Sequence, residues 1–233
     1  MTSTVANPAA RHASPVAGQP IGLLGGTFDP IHYGHLRLAE EMADALELAT
    51  VRFLPTGTPP HRGRPAASAA DRLEMVKRAI AGNGRFVLDE HEAHKTEPCY
   101  MVDTLGALRN ELGDAVPIVL FLGADAFAGL PAWHDWRRLF ELAHLAVARR
   151  PGDGGGDWPA RLPVDLAAEF AARYAPEPGI LRASAAGRVF LHGITQLDIS
   201  ASGIRALLAA GREPRYLMPD AVLDYIHRNR LYR

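Results

Sequence analysis

The chain has 233 residues, 48% of them hydrophobic and 22% charged, which suits a soluble globular protein with one sizeable domain and a real core. A formal net charge of -1 excludes a polyanion-coating surface, so any nucleotide or nucleic-acid contact is local. The one cysteine, Cys99, excludes an intramolecular disulfide and suits a reducing cytoplasm, and no apolar run is long enough to span a bilayer.

Residues 1–20 are rich in Ala, Pro and Ser and lack the charged-then-apolar layout of a secretory signal. They are expected to form a disordered tail ahead of a domain over 21–233. From Ile21 onward, apolar runs expected to be strands alternate with amphipathic patterns. The runs are IGLL (21–24), VRFLP (51–55), RFVLD (85–89), PIVLFLG (117–123), HLAVAR (144–149) and RVFLHG (188–193). Their continuous apolar character predicts strands covered on both faces, as in a parallel sheet.

Helices are expected at 35–48, 70–82, 101–113, 136–143, 164–175, 199–211 and 219–232, where apolar residues recur at three- and four-residue intervals. In the first, Leu36, Ala39, Met42, Ala43 and Leu46 form one stripe. Strand-helix alternation implies an α/β fold with a doubly wound parallel sheet, whose ligands bind outside the carboxyl ends of the strands. Residues 151–160, PGDGGGDWPA, are expected to be an exposed, mobile connection.

The stretch GGTFDPIHYGH (25–35) directly follows the first strand. Gly25 and Gly26 allow the backbone to approach a ligand. Asp29-Pro30 turns the chain into a helix whose free N–H groups and dipole favour an anion. His32 and His35, three apart, face the same side and suit phosphate. The loop has neither the Gly-Lys-Ser/Thr of a Walker motif nor Gly-x-Gly-x-x-Gly. A zinc pair on a helix needs a four-residue spacing and a third ligand, neither of which is evident.

With its His-x-Gly-His element, this stretch resembles the nucleotidylyltransferases, and the bacterial nicotinate-nucleotide adenylyltransferases in particular. Further segments resemble the same family in order: PTGTPPHR (55–62), FLGADAFAGLPAWHDWRRLF (121–140), RRPG (149–152), ISASGIRALL (199–208) and YLMPDAVLDYIHRNRLY (216–232), the last read as a packing element.

The resemblance implies a Rossmann-like nucleotidylyltransferase fold with C-terminal helices and transfer of AMP from ATP to nicotinate mononucleotide, releasing pyrophosphate. It implies His32, His35 and Arg205 as catalytic residues, and Gly25, Gly26, Thr27, Phe28, Ser200 and Ser202 as further contacts to ATP. For the mononucleotide it implies His61, Arg62, Tyr100, Thr104, Asp125, Trp133 and His134. Mg2+ is expected on the ATP phosphates, with no metal site built by the protein and no nucleic-acid or membrane partner; homo-oligomerisation is left open.

Trp136 suits core packing better than Trp133, and Cys99 reads as a small buried residue. The chain departs from the family at Met101, where a hydroxyl residue is usual, which puts acid-versus-amide selectivity in question. The rivals are an adenylyltransferase preferring nicotinamide mononucleotide or phosphopantetheine, and a nucleotide-binding sensor without catalysis. A class I aminoacyl-tRNA synthetase is remote, because no Lys-Met-Ser-Lys-Ser is present.

Overall fold

The computed structural model describes residues 19–57, 64–95, 97–149, 158–195 and 197–233. Most of the expected tail, the His61-Arg62 pair and residues 151–157 lie outside the described residues. Seven strands form one sheet: β1 (Ile21–Gly26), β2 (Thr50–Pro55), β3 (Phe86–Leu88), β4 (Ile118–Gly123), β5 (His144–Arg149), β6 (Tyr174–Ala175) and β7 (Val189–Gly193). Every pairing is parallel and the order is β3-β2-β1-β4-β5-β7-β6.

The apolar runs behave as expected of doubly covered strands. Successive side chains point to opposite faces, so Val119, Phe121, Ala146 and Ala148 enter one core layer, while Ile118, Leu120, Leu122, Leu145 and Val147 enter the other. The first layer is covered by α1 (Tyr33–Ala45), α2 (Ala69–Ile80) and α8 (Asp220–Arg228). The second is covered by α3 (Met101–Leu112), α4 (Ala124–Ala128), α5 (Leu139–Leu142) and α6 (Val164–Arg173). In α1, Ala39, Met42, Ala43 and Leu46 are buried and Leu36 packs on them. Gly22 leaves room for a neighbouring ring: a Cβ there would lie 2.6 Å from Phe121 Cζ.

Three expectations need correction. The pattern over 164–175 is not all helix, because Tyr174 and Ala175 leave it to pair with Val189 and Phe190 at the sheet edge. The run 136–143 is split into a 3-10 turn, Trp136–Arg138, and α5, after Asp135 adopts a left-handed backbone (φ 49°). Within the supposed loop 151–160, Trp158 opens a 3-10 turn and is 8% exposed, its ring lying against Phe127 and Phe170. A large aromatic ring recovers more by burial than the flanking glycines and prolines gain from solvent.

The strand order reverses between β1 and β4, and the crevice of a doubly wound sheet belongs there. Pairing of β1 with β4 covers only Ile21–Leu23 against Ile118–Leu120, whereas β1 stays paired with β2 as far as Gly26 and Pro55. The carboxyl ends of β1 and β4 therefore part, and the loop after β1 opens into the gap. No helix among the described residues is long and apolar enough to cross a membrane.

Candidate active site

The histidine loop is built from its glycines outward. A Cβ on Gly26 would meet the Phe28 ring at 3.0 Å, and one on Gly25 would meet Met101 Cε at 2.9 Å. Glycine at 26 gives the Phe28 ring room to close on the strand end, while at 25 a side chain would have to displace the flexible tip of Met101. Phe28 takes a left-handed backbone (φ 48°) and turns its ring inward, edge-on to His35 at 5.1 Å. Phe28 is 2% exposed, so its ring backs the histidine and is withdrawn from solvent.

His32 sits at the N-cap of α1 and His35 is the third residue of the helix, with their rings stacked at 3.8 Å between centroids. The His32 main-chain N–H donates to His35 Nδ1 at 3.3 Å. An accepting Nδ1 leaves the ring hydrogen of neutral His35 on Nε2, on the side away from the helix end. Burial pushes the His32 pKa down to about 4, and its Nδ1 has no hydrogen-bond partner among the described residues. At neutral pH His32 is therefore an uncharged imidazole with an unused polar atom.

Arg205, on α7 (Ala201–Ala209), reaches across the loop and donates from Nη1 to the Asp29 main-chain oxygen at 2.7 Å. Ser200 caps α7 by accepting from Gly203 N at 3.1 Å, and the Ser202 hydroxyl lies 3.3 Å from that of Ser200. Histidines, arginine and serines thus surround one loop, although 170 residues separate His35 from Arg205 in sequence. Two stacked imidazoles, a cation and two helix starts make a site for a polyanion.

A second group stands at the ends of β1 and β4. Tyr100 is the N-cap of α3 and packs on His134, with centroids 4.5 Å apart. Trp133 is half-buried at the end of the turn Leu130–Ala132, and Asp125 is exposed in the first turn of α4. The sequence-based distinction between the two tryptophans holds: Trp136 is 8% exposed in the core. Cys99 is likewise buried.

Thr104 is placed differently from the expected ligand contact. It is 1% exposed and donates to Glu92 Oε1 at 2.6 Å, so its hydroxyl serves the carboxylate beneath the site. Burial raises the Glu92 pKa, partly offset by hydrogen bonds from the Thr104 and Thr56 hydroxyls.

The frame of the loop rests on polar roles that the sequence reading did not assign. Asp29 accepts from Ala66 N, Ala67 N and the Tyr232 hydroxyl at 2.7, 3.0 and 2.7 Å. Arg72, 1% exposed, donates to Thr27 O at 2.7 Å and Gly57 O at 2.9 Å. Arg72 had a visible signal, a basic residue on the buried stripe of α2 with Met75, Val76 and Ile80. Tyr232 had none, and the segment read only as packing in fact supplies a polar group to the loop.

Comparison with known proteins identifies the family. Residues 23–207 match the family described as cytidylyltransferase-like. A probable nicotinate-nucleotide adenylyltransferase of Dechloromonas aromatica is 52% identical over 218 residues, 92% of this chain and 98% of that protein. One from Halorhodospira halophila is 52% identical over 202 residues, covering 87% and 90% of the two chains. The fold is similar to that of Plasmodium falciparum nicotinic acid mononucleotide adenylyltransferase complexed with NaAD. That match has a TM-score of 0.67 at 18% identity and covers 92% of this chain and 97% of the other. The same enzyme complexed with APC gives a TM-score of 0.65, also at 18% identity and with the same coverage of both chains.

Proposed function

The chain belongs to the cytidylyltransferase-like family, among the nicotinate-nucleotide adenylyltransferases, and from that premise we infer that it transfers AMP from ATP to nicotinate mononucleotide. The products are nicotinate adenine dinucleotide and pyrophosphate. The observation that carries the reading is the polyanion site itself: stacked His32 and His35 beside a helix start, faced by Arg205 held 2.7 Å from the Asp29 oxygen.

A phosphate oxygen of the mononucleotide attacks the α-phosphorus of ATP in line. One P–O bond forms there as the bond from the α-phosphorus to the α,β-bridging oxygen breaks, and the electron pair leaves with pyrophosphate. No protein nucleophile takes part, so alignment and placed positive charge supply the rate. His35 donates from Nε2 to the α-phosphate. His32 contacts the phosphates, and their charge favours its protonated form against the effect of burial. Arg205 binds the β- and γ-phosphates and the departing pyrophosphate, with Ser200, Ser202, Gly25, Gly26 and Thr27 adding hydroxyl or main-chain donors.

On the acceptor side Trp133 offers a flat face to the pyridine ring, with Tyr100 and His134 beside it. Asp125 accepts from a ribose hydroxyl, and His61 and Arg62, outside the described residues, are assigned to the mononucleotide. Mg2+ brought in with ATP would supply positive charge against that which builds up on the phosphates. An ion held by phosphate and water needs no carboxylate cage, and among the described residues the Asp29 carboxylate is taken up by Ala66 N, Ala67 N and the Tyr232 hydroxyl.

The test is pyrophosphate release from ATP and Mg2+ with nicotinate mononucleotide, nicotinamide mononucleotide or phosphopantetheine as acceptor. Release with the nicotinate form is expected, and none with any acceptor would leave only a nucleotide-binding protein. His35→Ala should lower kcat on the order of 100-fold or more, as for loss of a transition-state donor, with a smaller effect on ATP binding.

A further inference from the structure

Arg205 carries a long side chain that is 35% exposed, and its only polar contacts among the described residues are through Nη1 to Asp29, 2.7 Å from the main-chain oxygen and 3.9 Å from Oδ2. Nε and Nη2 are left for a ligand. The Asp29 carboxylate, 6% exposed, is kept off the guanidinium by other donors: Ala66 N on Oδ2, Ala67 N and the Tyr232 hydroxyl on Oδ1. Tyr232 is held neutral, because burial and the adjacent Asp29 carboxylate raise its pKa well above the ordinary phenol value.

We propose that Tyr232 and Asp29 are positioning residues for Arg205: the phenol satisfies the carboxylate, so that the arginine rests on the Asp29 main-chain oxygen with its remaining donors directed to the triphosphate. The inference rests on the reading of Arg205 as an ATP ligand. Without the phenol, Oδ1 keeps only the Ala67 N–H, and a buried carboxylate oxygen that loses one of its donors is left less well satisfied. The Arg205 guanidinium, with Nη1 already 3.9 Å from Oδ2, is a cation that can turn onto the carboxylate. Turning the guanidinium onto the carboxylate converts a pre-set phosphate ligand into an internal ion pair, which ATP must break in order to bind.

Calorimetric Kd values for ATP with Mg2+ are compared for the wild type, Tyr232→Phe, Arg205→Ala and the double variant, with thermal midpoints read alongside. Tyr232→Phe should weaken ATP binding about tenfold, the scale of one hydrogen bond to a charged group. In the Arg205→Ala background the same change should shift Kd less than about twofold, because the group it acts through is gone. An equal factor in both backgrounds overturns the proposal, as does a lowered thermal midpoint with wild-type Kd. Asp29→Asn, which sets an amide against the Ala66 N–H, is the harsher companion, and Tyr232→Phe decides the matter if that variant does not fold. Binding needs no acceptor or turnover, so a protein that shows this coupling but no pyrophosphate release would sink the transferase reading and leave the positioning one standing.

Discussion

Acid should destabilise the fold through His32. The side chain is 6% exposed, and burial pushes its pKa from 6.5 down to about 4. Between those values the unfolded chain binds the proton and the folded chain does not, so stability is complete above the unfolded value and falls with pH until both states are protonated. A gap of about 2.5 at roughly 1.36 kcal/mol per pH unit amounts to about 3 kcal/mol, of which about 2 is lost by pH 5.

Urea unfolding at about pH 7.5 and pH 5, for wild type and His32→Gln, isolates the effect, since glutamine is polar but does not titrate. Contributions common to both proteins cancel, including that of His144, whose ring is also pushed down by burial. The wild type should lose about 2 kcal/mol more than the variant over this range. Equal losses, or a His32 ring whose NMR titration in the folded protein centres near its ordinary value, would refute the reasoning.

Phosphates beside His32 favour its charged form, so ATP binding at about pH 5.5 should take up a proton, measured as a dependence of the calorimetric enthalpy on buffer ionisation. Gly57→Ala would place a Cβ 2.3 Å from Glu92 O and 2.7 Å from Lys95 O. Because both are main-chain atoms, it should cost about 1–3 kcal/mol in denaturant unfolding. Arg109 donates to the carbonyls of Leu142, Gly113, Val116 and Ala185. Arg109→Met should therefore lower stability by about 3–5 kcal/mol, visible as a large fall in Tm. Ser200→Ala removes the acceptor for Gly203 N and should cost about 1 kcal/mol, detectable by the same unfolding assay.

Strands with both faces buried leave an unmistakable trace, and the apolar runs at 21–24, 117–123 and 144–149 correspond to β1, β4 and β5 within two residues at either end. The two-residue strand β6 left none, since pairing at a sheet edge asks little of the residues that do it. Tyr174–Ala175 therefore looked like the end of a helix. Trp158 was misjudged for a related reason: composition reports its glycine- and proline-rich neighbours, and only the fold reveals the pocket between Phe127 and Phe170 that takes its ring.

The site divides along the same line. Its local chemistry is written in the sequence, because a glycine-rich strand end, a histidine pair at a helix start and a serine cap act over three or four residues, within reach of any reader of spacing. Ser200 as the cap of α7 and the stacked histidines follow from such spacing. What tertiary structure alone decided is how those pieces are held. Tyr232 meets Asp29 across 203 positions and Arg205 meets it across 176. Burial, which sets the charge of His32 and turns Thr104 toward Glu92, depends on neighbours from several elements at once. Hydrogen bonding between distant segments and removal from water are properties of the packed chain, and no local pattern of residues encodes them.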